Sequence, residues 1–252
     1  LLVDGAAAEH GGDQAVLNAL AHSLNDLLGG KGLTAEELFH QLIVGLGNPG
    51  DEYRNTRHNV GFDFVDRLAQ AKGARFSHQA KFFGETARIS TPAGDVWLLK
   101  PTTYMNLSGQ AVQPLAAYYK ISPEEILIVH DELDLAPGTM RLKFGGSNAG
   151  HNGLKDITQR LATGDFWRLR VGIGHPRQLC PGMAVIDWVL GRATTEQSEG
   201  ISKCLEGALK AIDNLALGKF EGAERTIGKF AHPPKPAKTE KTPEKQEPAA
   251  QA

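Results

Sequence analysis

Between Leu42 and Ile173 the chain alternates short apolar runs with stretches of helical periodicity. An apolar run of four or five residues closed by turn residues reads as a buried strand. Leu42–Leu46 is one, closed by Gly47-Asn48-Pro49-Gly50, and Ile126–Val129 is another, ending at His130-Asp131. Phe82–Ser90 and Val96–Lys100 read as a strand pair joined through Pro92-Ala93-Gly94, and Met140–Phe144 and Arg168–Ile173 as two more strands. Helical spacing runs over Val60–Ala71, Ser108–Tyr119 and Gly153–Leu161, and Glu196–Leu217 reads as a long C-terminal helix. Strands alternating with helices predict a single α/β domain over residues 42–230, with a mixed, mostly parallel sheet and helices on both faces. Ligands of such sheets bind beyond the carboxyl ends of the strands.

The flanks read differently. Residues 1–41 carry one lysine and six acids, the core 42–230 is net +2, and residues 231–252 are net +1. The N-terminal extension predicts a helix over Ala15–Leu28 and a second short one from Thr34. It has no arginine and no secretory n-region, so neither a transit nor a secretory peptide is expected. Residues 231–252 hold five prolines and no aliphatic or aromatic side chain larger than alanine. Such a segment buries too little surface to offset its ordering entropy, and a disordered, solubilising tail is expected. With 41% hydrophobic and 22% charged residues the chain as a whole is not a disordered one. No run of 18 apolar residues occurs, so no membrane span is expected. Two cysteines, Cys180 and Cys204, exclude a disulfide framework and fit a reducing compartment. A net charge of −2 does not by itself announce a nucleic-acid partner.

Several stretches carry candidate chemistry. Gly45-Leu46-Gly47-Asn48-Pro49-Gly50 fits G-x-G-x-x-G after a strand. A dinucleotide site also needs a helix opening at that loop and an acid closing the next strand, and neither is present. Pro49 removes a backbone donor as well, so the turn is read as aiming Asn48 from a strand tip. His58, in Thr56-Arg57-His58-Asn59, and Asp131, after a second strand, are expected to converge at the carboxyl edge. A carboxylate there holds an imidazole in one tautomer and stabilises its protonated form, as a general base requires. No Ser or Cys stands in a nucleophile-elbow pattern, which favours a base acting on water. Asn48, Asn59, Asn106 and Asn152 stand at turns and helix starts, and amides offer donor and acceptor without charge. Such a set suits an amide-rich ester substrate and a developing oxyanion. His130, His151 and His175 are scattered and no metal-ligand spacing exists, so no metal is expected. Gly145–Gly150 reads as a mobile loop or lid by composition.

These blocks carry a resemblance. Val44-Gly45-Leu46-Gly47-Asn48-Pro49-Gly50, Tyr53 and Thr56-Arg57-His58-Asn59-Val60-Gly61 resemble the opening of bacterial-type peptidyl-tRNA hydrolases. So do Pro101–Gly109 with its Tyr104-Met105-Asn106, His130–Asp134, Gly150–Lys155 and Arg168–Pro176, in the family's order and spacing. The resemblance covers about residues 42–230. It implies hydrolysis of the ester joining a peptide to the 3′ ribose of tRNA, with no cofactor and no metal. His58 would be the general base and Asp131 its partner. Asn48 would stand where a blocked amine is told from a free one. Tyr53, Tyr104, Asn106 and Asn152 match substrate or tRNA contacts, and Arg141, Lys143 and Arg170 match, less specifically, a grip on tRNA phosphates. It further implies a cytoplasmic monomer with peptidyl-tRNA as partner, no membrane and no obligate protein partner. The alternative is a non-catalytic RNA-binding relative of the same fold. The presence of His58, Asp131, Asn48, Asn106 and Asn152 together favours the enzyme.

Overall fold

The structure, a computed structural model, describes residues 40–233. The expected helices over 15–28 and from Thr34, and the tail from residue 234, lie outside the described residues.

Seven strands form one mixed sheet in the order β2-β3-β4-β1-β5-β7-β6. Its centre is parallel. β1 (Leu42–Gly45) lies between β4 (Gly94–Pro101) and β5 (Ile126–Glu132), and β7 (Trp167–Gly172) follows β5. Antiparallel strands complete both sides: β3 (Gly84–Thr91) and then β2 (Ser77–Gln79) beyond β4, and β6 (Met140–Phe144) beyond β7. Helices cover both faces, as expected. Ile43, Leu127, Val129 and Leu169 bury against α1 (Val60–Ala71) and α6 (Thr195–Ala216). Leu42, Val44, Ile126 and Ile128 point the other way, against α2 (Gly109–Tyr119) and α3 (Asn152–Leu161). Successive strand residues face opposite sides. A strand covered on both faces must therefore be apolar throughout, which is why these runs do not alternate.

Close approach explains the glycine motif. A Cβ on Gly45 would collide with the carbonyl of Gly61, and one on Gly61 with the backbone of Leu46 and Val129. The pair lets the start of α1 lie directly on β1 and β5. Gly50 has φ of 109°, a conformation that favours glycine.

Differences from expectation follow from long-range pairing. β5 does not stop at Val129: it continues through His130, Asp131 and Glu132, which pair with Arg170, Val171 and Gly172 of β7. Asp131 therefore stands within the strand and not after it. Phe82 lies in a 3₁₀ turn (Ala80–Phe82) before β3. Strand β2 is short and polar, so no apolar period marks it. Further helices follow β7: the single turn α4 (Pro176–Leu179), then α5 (Val185–Leu190), and, after α6, α7 (Phe220–Lys229). Ala231–Pro233 also belong to the described structure, where His232 donates its backbone N–H to the Gly138 carbonyl at 2.7 Å. Among the described residues no helix is long and apolar enough to cross a membrane.

Candidate active site

The carboxyl ends of β1 and β5 bring the predicted pair together. His58 sits in a 3₁₀ turn (Arg57–Asn59) just before α1. Its Nδ1 lies 2.9 Å from Oδ1 of Asp131. The turn is held from outside: Arg57 donates its backbone N–H to the Gly191 carbonyl at 3.0 Å. Its guanidinium lies 3.6 Å over the Trp188 ring and donates to the Trp188 carbonyl and to Gln197.

A third residue completes the cluster. His151 Nε2 lies 3.1 Å from the same Asp131 oxygen, and the two imidazole centroids are 5.1 Å apart. In sequence His130, His151 and His175 are scattered. The structure corrects this for two of them, since His130 and His151 meet at 5.0 Å. The available signal was the position of His151 at the N-terminal boundary of α3. As its cap, His151 accepts the Leu154 N–H at Nδ1, at 3.4 Å. An accepting Nδ1 leaves the proton on Nε2, which then donates to Asp131. Nδ1 of His58, facing the same oxygen, is likewise a donor. The donor atoms of His58, Asp131 and His151 lie within 4.8 Å of one another, a spacing that also suits a cation. Two ring N–H groups converging on one carboxylate account for the same geometry with every proton placed.

Electrostatics follow from burial. Asp131 is almost fully enclosed; burial alone would raise its pKa, but the two histidines outweigh it and hold the carboxyl well below its usual range. Burial pushes His58 down, yet the Asp131 charge and hydrogen bond prevail and its pKa is raised. His130 donates Nδ1–H to the Asp131 carbonyl at 2.7 Å, and burial holds its pKa at about 3, so it is neutral.

The amides divide into two groups. Asn59 is structural: it accepts the Asn48 N–H and donates to the Asn48 carbonyl, both at 2.9 Å, and so clamps the β1 tip as a strand neighbour would. Asn48 accepts the Met105 N–H at 2.7 Å through Oδ1, which leaves its Nδ2 without a partner among the described residues. Asn106 and Tyr104 are exposed beside it, and Tyr104 meets the half-buried Tyr53 edge-on at 6.4 Å. Asn152, the first residue of α3, is exposed and lines a cleft of about 620 Å³ together with His58 and Asp131.

Lys143 and Arg170 line that same cleft with His58 and Asn152. Arg170 is already paired with Glu132 at 2.8 Å. Arg141 lies opposite Arg170 in the β6–β7 register and is exposed outside the cleft lining. Arg168, not among the residues expected at the site, is buried and donates to the carbonyls of Gly146 and Ser147 and to Asn148 Oδ1 at 2.7–3.2 Å. The Gly145–Gly150 segment is thus tied to the sheet by one guanidinium, where composition predicted a mobile lid.

The family model described as peptidyl-tRNA hydrolase matches residues 42–238. A peptidyl-tRNA hydrolase of Neisseria meningitidis is 54% identical over 189 residues, covering 74% of this chain and 96% of the relative. One from Aromatoleum aromaticum is 54% identical over 183 residues, covering 73% and 91%. The crystal structure of peptidyl-tRNA hydrolase from Acinetobacter baumannii superimposes with a TM-score of 0.70 at 46% identity, covering 75% of this chain and 94% of that one. Relatives more than half identical across nearly their whole length, on a fold that superimposes over the described domain, show that this chain belongs to the peptidyl-tRNA hydrolase family.

Proposed function

We propose that the domain over residues 42–230 hydrolyses the ester between a peptide and the 3′ ribose of tRNA, with His58 taking a proton from the attacking water. The observation that carries the mechanism is the His58–Asp131 contact at 2.9 Å through Nδ1. It leaves Nε2 without a hydrogen-bond partner among the described residues, free to face a water. Asp131 orients the ring and stabilises the imidazolium formed when the proton moves. His151 supplies the carboxylate's second donor and so keeps it in place. A positioned imidazole contributes about 10²–10⁴-fold to such a step. An amide donor aimed at the developing oxyanion adds about 10²–10³-fold. Asn48, Asn106 and Asn152 are the amides we assign to the substrate, with Asn48 on the peptide side because its Nδ2 is uncommitted. Tyr53 and Tyr104 offer ring faces to the substrate. Lys143 and Arg170, with Arg141 further out, are assigned to tRNA phosphates.

A site that hydrogen-bonds the peptide amide leaves groups unpaired when the amine is free and must also desolvate its ammonium, which disfavours aminoacyl-tRNA. We further propose that the chain acts as a cytoplasmic monomer with no obligate protein partner. The test is turnover of N-acetyl-aminoacyl-tRNA against aminoacyl-tRNA. Rapid release of tRNA from the first and slow release from the second is expected. Binding of tRNA with no turnover of either would favour the non-catalytic RNA-binding alternative.

A further inference from the structure

A second groove of about 650 Å³ lies between the start of α1 and the end of β4; apart from Asn48, the reaction described above does not use its lining residues. Phe62, Pro49 and Pro101 give it apolar surface, and Asn48 and Asn59 line it where it adjoins the His58 turn. Its charged lining residues are Asp51, Asp63, Asp66 and Glu85 against Arg54 and Lys100, a net of −2. The pairing is uneven. Asp51 is satisfied by Arg54 at 2.8 Å, far out in solvent. Lys100 is shared between Asp66 at 2.7 Å and Glu85 at 3.2 Å. Asp63, half-buried and one turn before Asp66 on α1, makes no direct ion pair or hydrogen bond among the described residues; burial pushes its pKa up, and the nearby Arg67 charge offsets this only in part. Arg67, one turn further on, donates instead to Ser202 at 2.8 Å. Asn48 is 8% exposed, lines this groove and not the His58 cleft, and carries the uncommitted Nδ2 donor.

We infer that this groove receives the peptide half of the substrate, and that Asp63 with its neighbouring carboxylates makes it favour peptides with a basic side chain near the ester over those with an acidic one. The inference rests on the peptidyl-tRNA reading above. That substrate has two unlike halves. A surface with unmatched carboxylates repels the polyanionic half. The uncharged peptide backbone suffers no such repulsion, and its carbonyls need donors such as the Asn48 amide. A lysine or arginine of the peptide then supplies the direct ion pair that Arg67, turned to Ser202, does not give Asp63, and adds to the one cation that Asp66 and Glu85 share. An acidic side chain meets the same field with the opposite sign.

The experiment compares N-acetyl-Lys-Ala-tRNA with N-acetyl-Glu-Ala-tRNA on the same tRNA, using the full chain. One unit charge about 8 Å from another, at a screening intermediate between surface and bulk water, is worth roughly fivefold in binding. We expect KM for the lysine substrate to be lower by about that factor or more, with the gap narrowing in high salt. Asp63→Asn should shrink the KM ratio, and Lys100→Met, which removes the cation, should enlarge it; opposite signs from two variants separate charge selection from damage to the fold. A wild-type ratio within twofold of one, or a ratio that moves in neither variant, overturns the inference while leaving hydrolysis intact. Turnover of neither substrate by the wild type overturns the hydrolase reading itself, and this inference with it.

Discussion

Replacing Asp131 by Asn isolates one physical quantity, the charge beside His58. The side chain is 3% exposed, and the oxygen that meets both ring N–H groups at 2.9 and 3.1 Å can be reproduced by the amide oxygen. Shape and both hydrogen bonds are kept and the charge is lost. A carboxylate about 4 Å from the centre of an imidazolium interacts with it by about 4 kcal/mol at an effective dielectric of 20, which is an upper bound for the loss. Opposite charges at such distances shift pKa values by about 1–3 units. In the wild type, burial lowers the His58 pKa and Asp131 more than reverses it. With the charge gone, burial, the largest influence, is opposed only by the retained hydrogen bond, so the pKa should fall below the ordinary 6.5. The base is needed unprotonated. The acid limb of kcat/KM should therefore have its midpoint above 6.5 in the wild type and below it in Asp131→Asn. The plateau should fall by about 10–10³-fold, because each pKa unit of lost imidazolium stabilisation is worth about 1.4 kcal/mol and only part of it is felt in the transition state. The assay is hydrolysis of N-acetyl-aminoacyl-tRNA from pH 5 to 9, with melting temperature recorded alongside. An unchanged midpoint and plateau in a folded variant would refute the pairing of Asp131 with His58 in catalysis.

His58→Ala should remove most turnover while tRNA binding stays within a few-fold, measured by filter binding; near wild-type turnover would end its assignment as base. Lys143→Glu should raise KM for full-length peptidyl-tRNA and make the salt dependence of binding shallower, by about one unit of slope for each phosphate no longer gripped. A minimal peptidyl-nucleoside ester should respond far less, and equal effects on both substrates would reject the phosphate role; Arg170→Glu is a less clean probe because the new carboxylate would face Glu132. Among the described residues, His40 is buried between Trp167 and Phe220 with no partner for either ring nitrogen, and burial lowers its pKa to about 3. Its folded pKa lies below its unfolded value, so stability is present above about 6.5 and lost as pH falls toward 3. His40→Phe should flatten that acid limb in urea titrations, and an unaltered slope between pH 6.5 and 4.5 would show that another group controls it.

What the sequence determined by itself was local. Apolar runs and helical spacing located β1, α1, α2, α3, β6 and α6 because side-chain periodicity is a property of neighbours along the chain. His58, Asp131, Asn48, Asn106 and Asn152 were legible because each lies in a contiguous block whose order could be compared with a family. Tertiary structure decided the rest. The register of β5 on β7, and not any local signal, carried the strand on through Asp131. His151 became the second donor to Asp131 only once α3 was packed with its N-terminus against the end of β5. Arg168 gave no sign in sequence that it would hold the Gly145–Gly150 segment, since its acceptors are backbone carbonyls some 20 residues away. The acidic groove beside Asn48 is assembled from the β1 loop, α1, β3 and β4, pieces spread over residues 48–102. Charge and hydrogen-bonding capacity are written residue by residue. Which of them meet, and which are left without a partner, is fixed only when strands pair and helices pack.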